Sequence, residues 1–333
     1  MQTAADILAA ISNLSAKHVL RNATVTYREG FADAAVRVYP GDQRAKLLQN
    51  KFFIPNDTAF KVDTFLQSAS ELSVQNHLMQ SSRASHVAIE KQVNPPKDVD
   101  VYYEVGATKV SLEVKCAVEN QLPASSLIIK TAGRVPNHQA AFQDLKEKIE
   151  AAHPTKLVEQ GKNKDNTLKD FLLSAHGKFN PQSGCDDLNI LLVACGYYFN
   201  LQEWYFYMFE NHGLFTASSF HPQTDFSLVD MVILTNLKYC HTDAQRFHDW
   251  TLKDVFLLPF LNPRRRGTAV SESIVRGLEV FNHHLKQFNE FRPTSDDPQV
   301  PDHVLNAVKV NSYVAEKLEA GERKRYFPVK LNK

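Results

Sequence analysis

The stretch Asp98-Val-Asp-Val-Tyr-Tyr-Glu-Val-Gly-Ala-Thr-Lys-Val-Ser-Leu-Glu-Val-Lys115 decides how the rest of the chain is read. It alternates apolar and polar residues on both sides of Gly106-Ala107, as two strands joined by a two-residue turn do. With that turn, Val105 faces Thr108, Tyr103 faces Val110, Val101 faces Leu112 and Val99 faces Val114. One face is then almost wholly apolar and must meet the core, which sets the register. On the other face Asp100 lies opposite Glu113, and Asp98 opposite Lys115. A four-residue turn keeps the same side-chain parity.

Two carboxylates that close repel each other unless a cation lies between them, so they form a hard-oxygen site suited to Mg²⁺ or Mn²⁺. A lysine beside them can orient an attacking water and offset charge developing on a phosphate. Acid pair, divalent cation and ammonium are the parts of a phosphodiester hydrolase.

On these residues the chain resembles the PD-(D/E)xK nucleases of restriction-endonuclease-like fold, whose pattern is an acidic residue on one strand and E-x-K on the next. Here it reads Asp100, then Glu113-Val114-Lys115. Val99 stands where the pattern has proline, which leaves Asp98 beside Asp100 as a candidate ligand; opposition to Glu113 favours Asp100. The resemblance implies a core of helix, three strands, helix and strand over residues 63–198, and Mg²⁺-dependent cleavage of DNA, less often RNA, with Mn²⁺ able to substitute. It also implies an acidic residue on the first core helix, for which Glu71 is the candidate metal ligand. A glutamine on the helix after E-x-K would be Gln139 or Gln143. The tripeptide alone carries little, because Asp144-Leu145-Lys146 and Glu322-Arg323-Lys324 occur in charged, helix-like surroundings. The alternative for the hairpin is a solvated, salt-bridged edge.

Working outward, the fold class expected is α/β, a mixed sheet flanked by helices. Residues 1–60 and 201–333 would be elaborations on a nuclease core at 61–200. Residues 1–22 read as an amphipathic helix and 23–60 as short strands and turns around Pro40-Gly41-Asp42 and Pro55-Asn56-Asp57. Residues 61–80 read as a helix, with Phe65, Leu66, Ala69, Leu72 and Leu78 on one side. His86–Val93 completes the strand-rich block, residues 137–151 form a helix capped by Asn137, and another helix runs near 167–175. Asn189–Tyr198 and Val229–Asn236 are buried strands; helices follow at 270–290 and about 303–320.

The 333 residues carry 38 Lys+Arg against 37 Asp+Glu, a net charge of +1 that excludes a polycationic coat but not a local basic groove. Arg264-Arg265-Arg266 and Lys156, Lys162, Lys164 and Lys169 are candidate phosphate contacts. The aromatic run Trp204, Tyr205, Phe206, Tyr207 and Phe209 reads as core rather than as a base-stacking platform. Cys116, Cys185, Cys195 and Cys240 lack zinc or disulfide spacing, and His212, His221, His241 and His248 read as ordinary core or surface residues. No phosphate-loop or dinucleotide motif is present. The apolar runs are too short for a membrane span and the N-terminus lacks a basic leader, so a cytoplasmic location is expected. The expected partners are DNA, a second copy of the chain, and by analogy other proteins of a restriction or phage-defence system. The rival readings are a ribonuclease of the same fold and a non-catalytic nucleic-acid-binding or assembly subunit.

Overall fold

Helix α5 (Val62–Gln80) lies against the sheet at the centre of the fold. Its apolar residues fall where the sequence puts them, and its polar flank is buried too: Ser68, Ser70, Ser73, Gln75, Asn76 and His77 are all covered. The cover is a layer of helices in front of it. These are α1 (Ala4–Ser12), α2 (Val19–Asn22), α3 (Val25–Val38) and α4 (Arg44–Phe52).

This computed structural model describes residues 3–117, 127–130, 138–153, 158–161, 164–184, 187–196, 198–210, 212–222, 224–242, 249–253, 255–266 and 272–281, together with positions 288, 290, 309, 312 and 313. All of the expected helix near 303–320 except positions 309, 312 and 313, the Asn137 cap, Lys156, Lys162, Cys185 and His248 lie outside the described residues, as does the side chain of Lys164.

The sheet has six strands in the order β1-β2-β3-β6-β7-β8. They are β1 (Ser85–Asn94), β2 (Lys97–Val105), β3 (Thr108–Cys116), β6 (Leu188–Ala194), β7 (Met231–Thr235) and β8 (Leu257–Leu261). β1, β2 and β3 are antiparallel neighbours, β3, β6 and β7 run parallel, and β8 returns antiparallel. A small parallel pair, β4 (Leu127–Lys130) and β5 (Val158–Gly161), stands apart, and no strand was expected there. Among the described residues the connection from β3 to β6 carries α6 (His138–Ala152) and α7 (Lys164–Lys178), as a parallel crossover requires.

Two apolar layers sandwich the sheet. On one side, alternate residues of the strands (Val101, Tyr103, Val110, Leu112, Val114, Ile190, Leu192, Ile233) pack on α1–α5, α9 (Leu237–Thr242) and α10 (Glu272–Leu278). On the other, Leu191, Val193, Val232 and Leu234 pack on α7 and on α8 (Tyr198–Phe209). Helix α10 approaches the sheet closely at Gly277, where an added Cβ would stand 2.7 Å from Leu188 Cδ2; the Gly277 carbonyl accepts a hydrogen bond from Tyr103 Oη at 3.0 Å. The mixed α/β class is therefore as expected.

Several elements differ from the sequence reading. Residues 23–60 are largely helical, not strands and turns. Tyr27, Phe31, Ala34, Ala35 and Val38 keep a helical period, and Thr24 caps α3 by accepting from the Tyr27 amide. The β-branched residues and Gly30 obscured that period. The Pro-Gly and Pro-Asn signals mark where α3 and α4 have just ended. The aromatic run forms α8, with Trp204, Tyr205 and Met208 buried, in line with a core role. β8 escaped notice because Pro259 sits at its centre. A proline is tolerated there because β8 pairs only with β7 and is an edge among the described residues. The sheet also continues past residue 200, since β7 and β8 belong to it.

Candidate active site

The hairpin register runs as the sequence predicts from Val105–Thr108 through Tyr103–Val110 to Val101–Leu112, with Gly106 at φ +60° in the turn. The ladder then stops, and the expected pairings Val99–Val114, Asp100–Glu113 and Asp98–Lys115 are not formed. The physical reason is a side chain in place of a strand. Asp100 Oδ2 accepts the Val114 amide at 2.7 Å, taking the donor that a continued ladder would have used.

Gln67 of α5 occupies the rest of the gap. Its Oε1 accepts the Cys116 amide at 2.6 Å, and its Nε2 donates to the Val114 carbonyl at 2.9 Å. The same amide nitrogen donates to Glu71 Oε1 at 2.8 Å, which fixes that carboxylate one helical turn further along α5. Lys51 of α4 pairs with Glu71 Oε2 at 2.9 Å and with Glu90 of β1 at 2.8 Å.

Glu113 is fully buried. Its Oε1 stands 2.7 Å from Lys115 Nζ and 2.7 Å from Nζ of Lys178, the last residue of α7. Its Oε2 is buried and has no hydrogen-bond partner among the described residues. The solvated-edge alternative for this hairpin is therefore wrong, because α7 and its neighbours cover the face that carries Glu113.

Glu71 and Glu113 both act electrostatically on Asp100. Burial pushes the Asp100 carboxyl well above the usual carboxylate range, and the negative charges of Glu71 and Glu113 push it further. Lys178 and the Val114 amide oppose that rise without cancelling it. Burial works against the charged form of Lys178, but Glu113 and Asp100 outweigh it and the ammonium titrates above its ordinary value. Lys51 is likewise raised, Glu71 and Tyr39 overcoming its burial.

The chain matches no family model, no curated protein and no solved structure.

The remaining expected site residues fall as follows. Glu71, Asp100, Glu113 and Lys115 gather where β2 parts from β3. Asp98 is half-buried on β2 and is among the charges that raise Lys178. Gln139 lies in α6, and its side chain is outside the described residues. Gln143 is exposed and donates to Glu147 of its own helix at 2.8 Å.

The arginine run is committed elsewhere: Arg264 donates to the Thr216 and His221 carbonyls, Arg265 to Asn262, and Arg266 to Ser183 and Asp230. It braces loops. Lys169 is 3.6 Å from Asp170. Among the histidines, His212 bonds the Ser218 carbonyl and His221 approaches Asp225, while His241 is buried between Tyr27 and Ser73.

Sequence reasoning missed Gln67, Lys51 and Lys178. Gln67 had one legible signal, its place four residues before Glu71 on a helix, which puts both on one face. Lys51 and Lys178 reach the site only through tertiary packing.

As placed, no three His, Cys, Asp or Glu side chains among the described residues form a ready metal cage. The donor chemistry nonetheless fits a hard divalent cation. Asp100 and Glu113 are oxygen donors in mutual repulsion, and Glu113 Oε2 is a buried acceptor with nothing to accept from.

Proposed function

We propose that the protein is a metal-dependent nuclease of restriction-endonuclease-like fold that hydrolyses phosphodiester bonds, with DNA as substrate. The observation that carries this reading is the buried Glu113 carboxylate at the parting of β2 and β3. It lies near Asp100, with Lys115 in contact and one oxygen without a partner among the described residues. The order of α5, three antiparallel strands, a helical crossover and a parallel strand supports the fold reading.

In this reading Asp100 and Glu113 hold Mg²⁺, and Glu71 assists from α5. When bound, the cation supplies Lewis-acid stabilisation of the phosphoryl oxygens and a more acidic water. The chain's own residues do the rest. Lys115 orients the attacking water and balances charge that develops on the phosphate. Gln67 holds Glu71 and the β3 backbone in fixed relation. The apolar cover of α7 keeps the dielectric around Glu113 low, which strengthens each of these charge contacts. Two copies of the chain would cut the two strands of a duplex.

The test is cleavage of plasmid and linear DNA, with RNA of matched sequence, in Mg²⁺, Mn²⁺ or EDTA. Glu113→Gln and Lys115→Ala proteins shown to be folded run beside the wild type. We expect metal-dependent cutting that falls by about 10²-fold or more in each variant. Cutting that survives both substitutions would overturn the assignment, and cutting of RNA alone would reassign the substrate.

A second reading draws on the ion pairs themselves. Glu71 and Glu113 already have lysine partners, as a purely structural charged network in a nucleic-acid-binding or assembly subunit would. Under that reading Mg²⁺ neither stabilises the fold nor is needed for activity.

A further inference from the structure

Glu113 Oε1 is contacted by two ammonium groups, while among the described residues its other oxygen has none. One carboxylate oxygen does not need two lysines for charge balance, so the second cation calls for an explanation beyond Glu113 alone. Lys115 sits two residues along the same strand and is held on the same face of β3 as Glu113. Lys178 comes from a different element, the end of α7; it contacts Glu113, and its charge also favours the charged form of Asp100. Its side chain keeps 23% of its surface exposed, which gives the ammonium a route to water. Burying two like charges without a counter-ion is costly, and an ammonium is the cation this chain itself supplies.

We propose that Lys178 is the resident counter-cation of the Asp100–Glu113 pair, and that a divalent metal enters the site by displacing its ammonium. This rests on the nuclease reading only in taking these two acids as metal ligands. It assigns a binding role to a residue outside the D…E-x-K pattern. Metal and Lys178 compete, so removing the lysine makes the metal-free protein less stable and the metal tighter.

The experiment is calorimetric titration of the full chain with Mn²⁺, without nucleic acid, on wild type, Lys178→Met, Lys178→Gln and Glu113→Gln, together with thermal melts in EDTA. The methionine variant should bind Mn²⁺ about fivefold tighter or more than wild type, the scale of one removed ion pair at a partly buried site. It should also melt lower in EDTA, and that deficit should shrink in a Glu113→Gln/Lys178→Met double variant measured against Glu113→Gln, where one of the two charges that Lys178 balances is gone. The glutamine variant serves the same comparison if the methionine protein does not fold. Unchanged or weaker Mn²⁺ binding in both Lys178 variants, with wild-type binding still dependent on Glu113, would overturn the displacement and leave the metal site standing. Wild type binding Mn²⁺ no better than Glu113→Gln, with the Lys178 variants no different, would overturn the metal reading and this inference together.

Discussion

Asp100 is asked to do two things that oppose each other. Its carboxylate holds the Val114 amide, which favours charge, and it does so half-buried and under the influence of two other acids, which disfavours charge. A neutral amide in its place keeps an acceptor for Val114 and removes the repulsion. Asp100→Asn is therefore expected to raise the melting temperature in EDTA, by a few degrees for each ~1 kcal/mol relieved, while abolishing metal-dependent cleavage. Thermal melts and the plasmid assay on one preparation check both halves, and a lower melting temperature would show that the repulsion is already neutralised. At this scale the sequence was partly legible. Alternation with a turn at Gly106 put Asp100, Glu113 and Lys115 together, because register along a hairpin is a local property. It could not show that the ladder ends at Val101–Leu112, since there the Asp100 carboxylate takes the Val114 amide and Gln67 arrives from a helix distant in sequence.

The helices of one layer are tied through a polar contact. His241 of α9 is buried with Nδ1 2.9 Å from Tyr27 Oη of α3 and Nε2 3.0 Å from Ser73 Oγ of α5. Trp250 packs over the imidazole, and its indole N–H donates to the Tyr27 carbonyl at 3.0 Å. Burial pushes the His241 imidazole down to about 3. Folded His241 is thus neutral while an unfolded histidine, near pH 6.5, takes up a proton first; stability is full above about pH 6.5 and falls as pH drops towards 3. Between pH 7 and pH 5 this one group should remove about 2 kcal/mol. Urea unfolding at the two pH values should show that loss in wild type and a flatter dependence in His241→Gln, which has no proton to bind. An equal slope in the variant would assign the acid sensitivity to His18, His77 and His176, whose values burial also lowers. Element identity was readable where the period was clean, as in α5 and β6. It failed for α3, α4 and β8, where Gly30, β-branched residues and Pro259 masked elements that packing imposes.

Across the whole molecule, one sheet serves two apolar layers, and its central strands β3, β6 and β7 are covered on both faces. Backbone amides there can reach water only by opening both layers. Hydrogen exchange should accordingly be slowest in β6 and β7, and fastest in β1, whose residues are exposed or half-buried along its length. Comparable rates in β1 and β6 would mean that the two layers open separately from the sheet. The layered class was legible from the order of helices and strands. The depth of burial of Glu113 was not, because it depends on α7 crossing the face opposite α5.

The two margins of this sheet have a consequence for how copies of the chain can meet. At one margin β1 is interrupted by irregular register on either side of its middle, with His86 and Glu90 in the left-handed region, and the Lys91 ammonium folds back over the Tyr102 ring. At the other, Pro259 removes a donor from the middle of β8. Neither margin offers the straight row of free amides and carbonyls on which a neighbour's strand could template itself. Crowding many copies together, as in a concentrated stock or a cell that overproduces the chain, thus brings no ready route to stacking through the margins of this six-stranded sheet among the described residues.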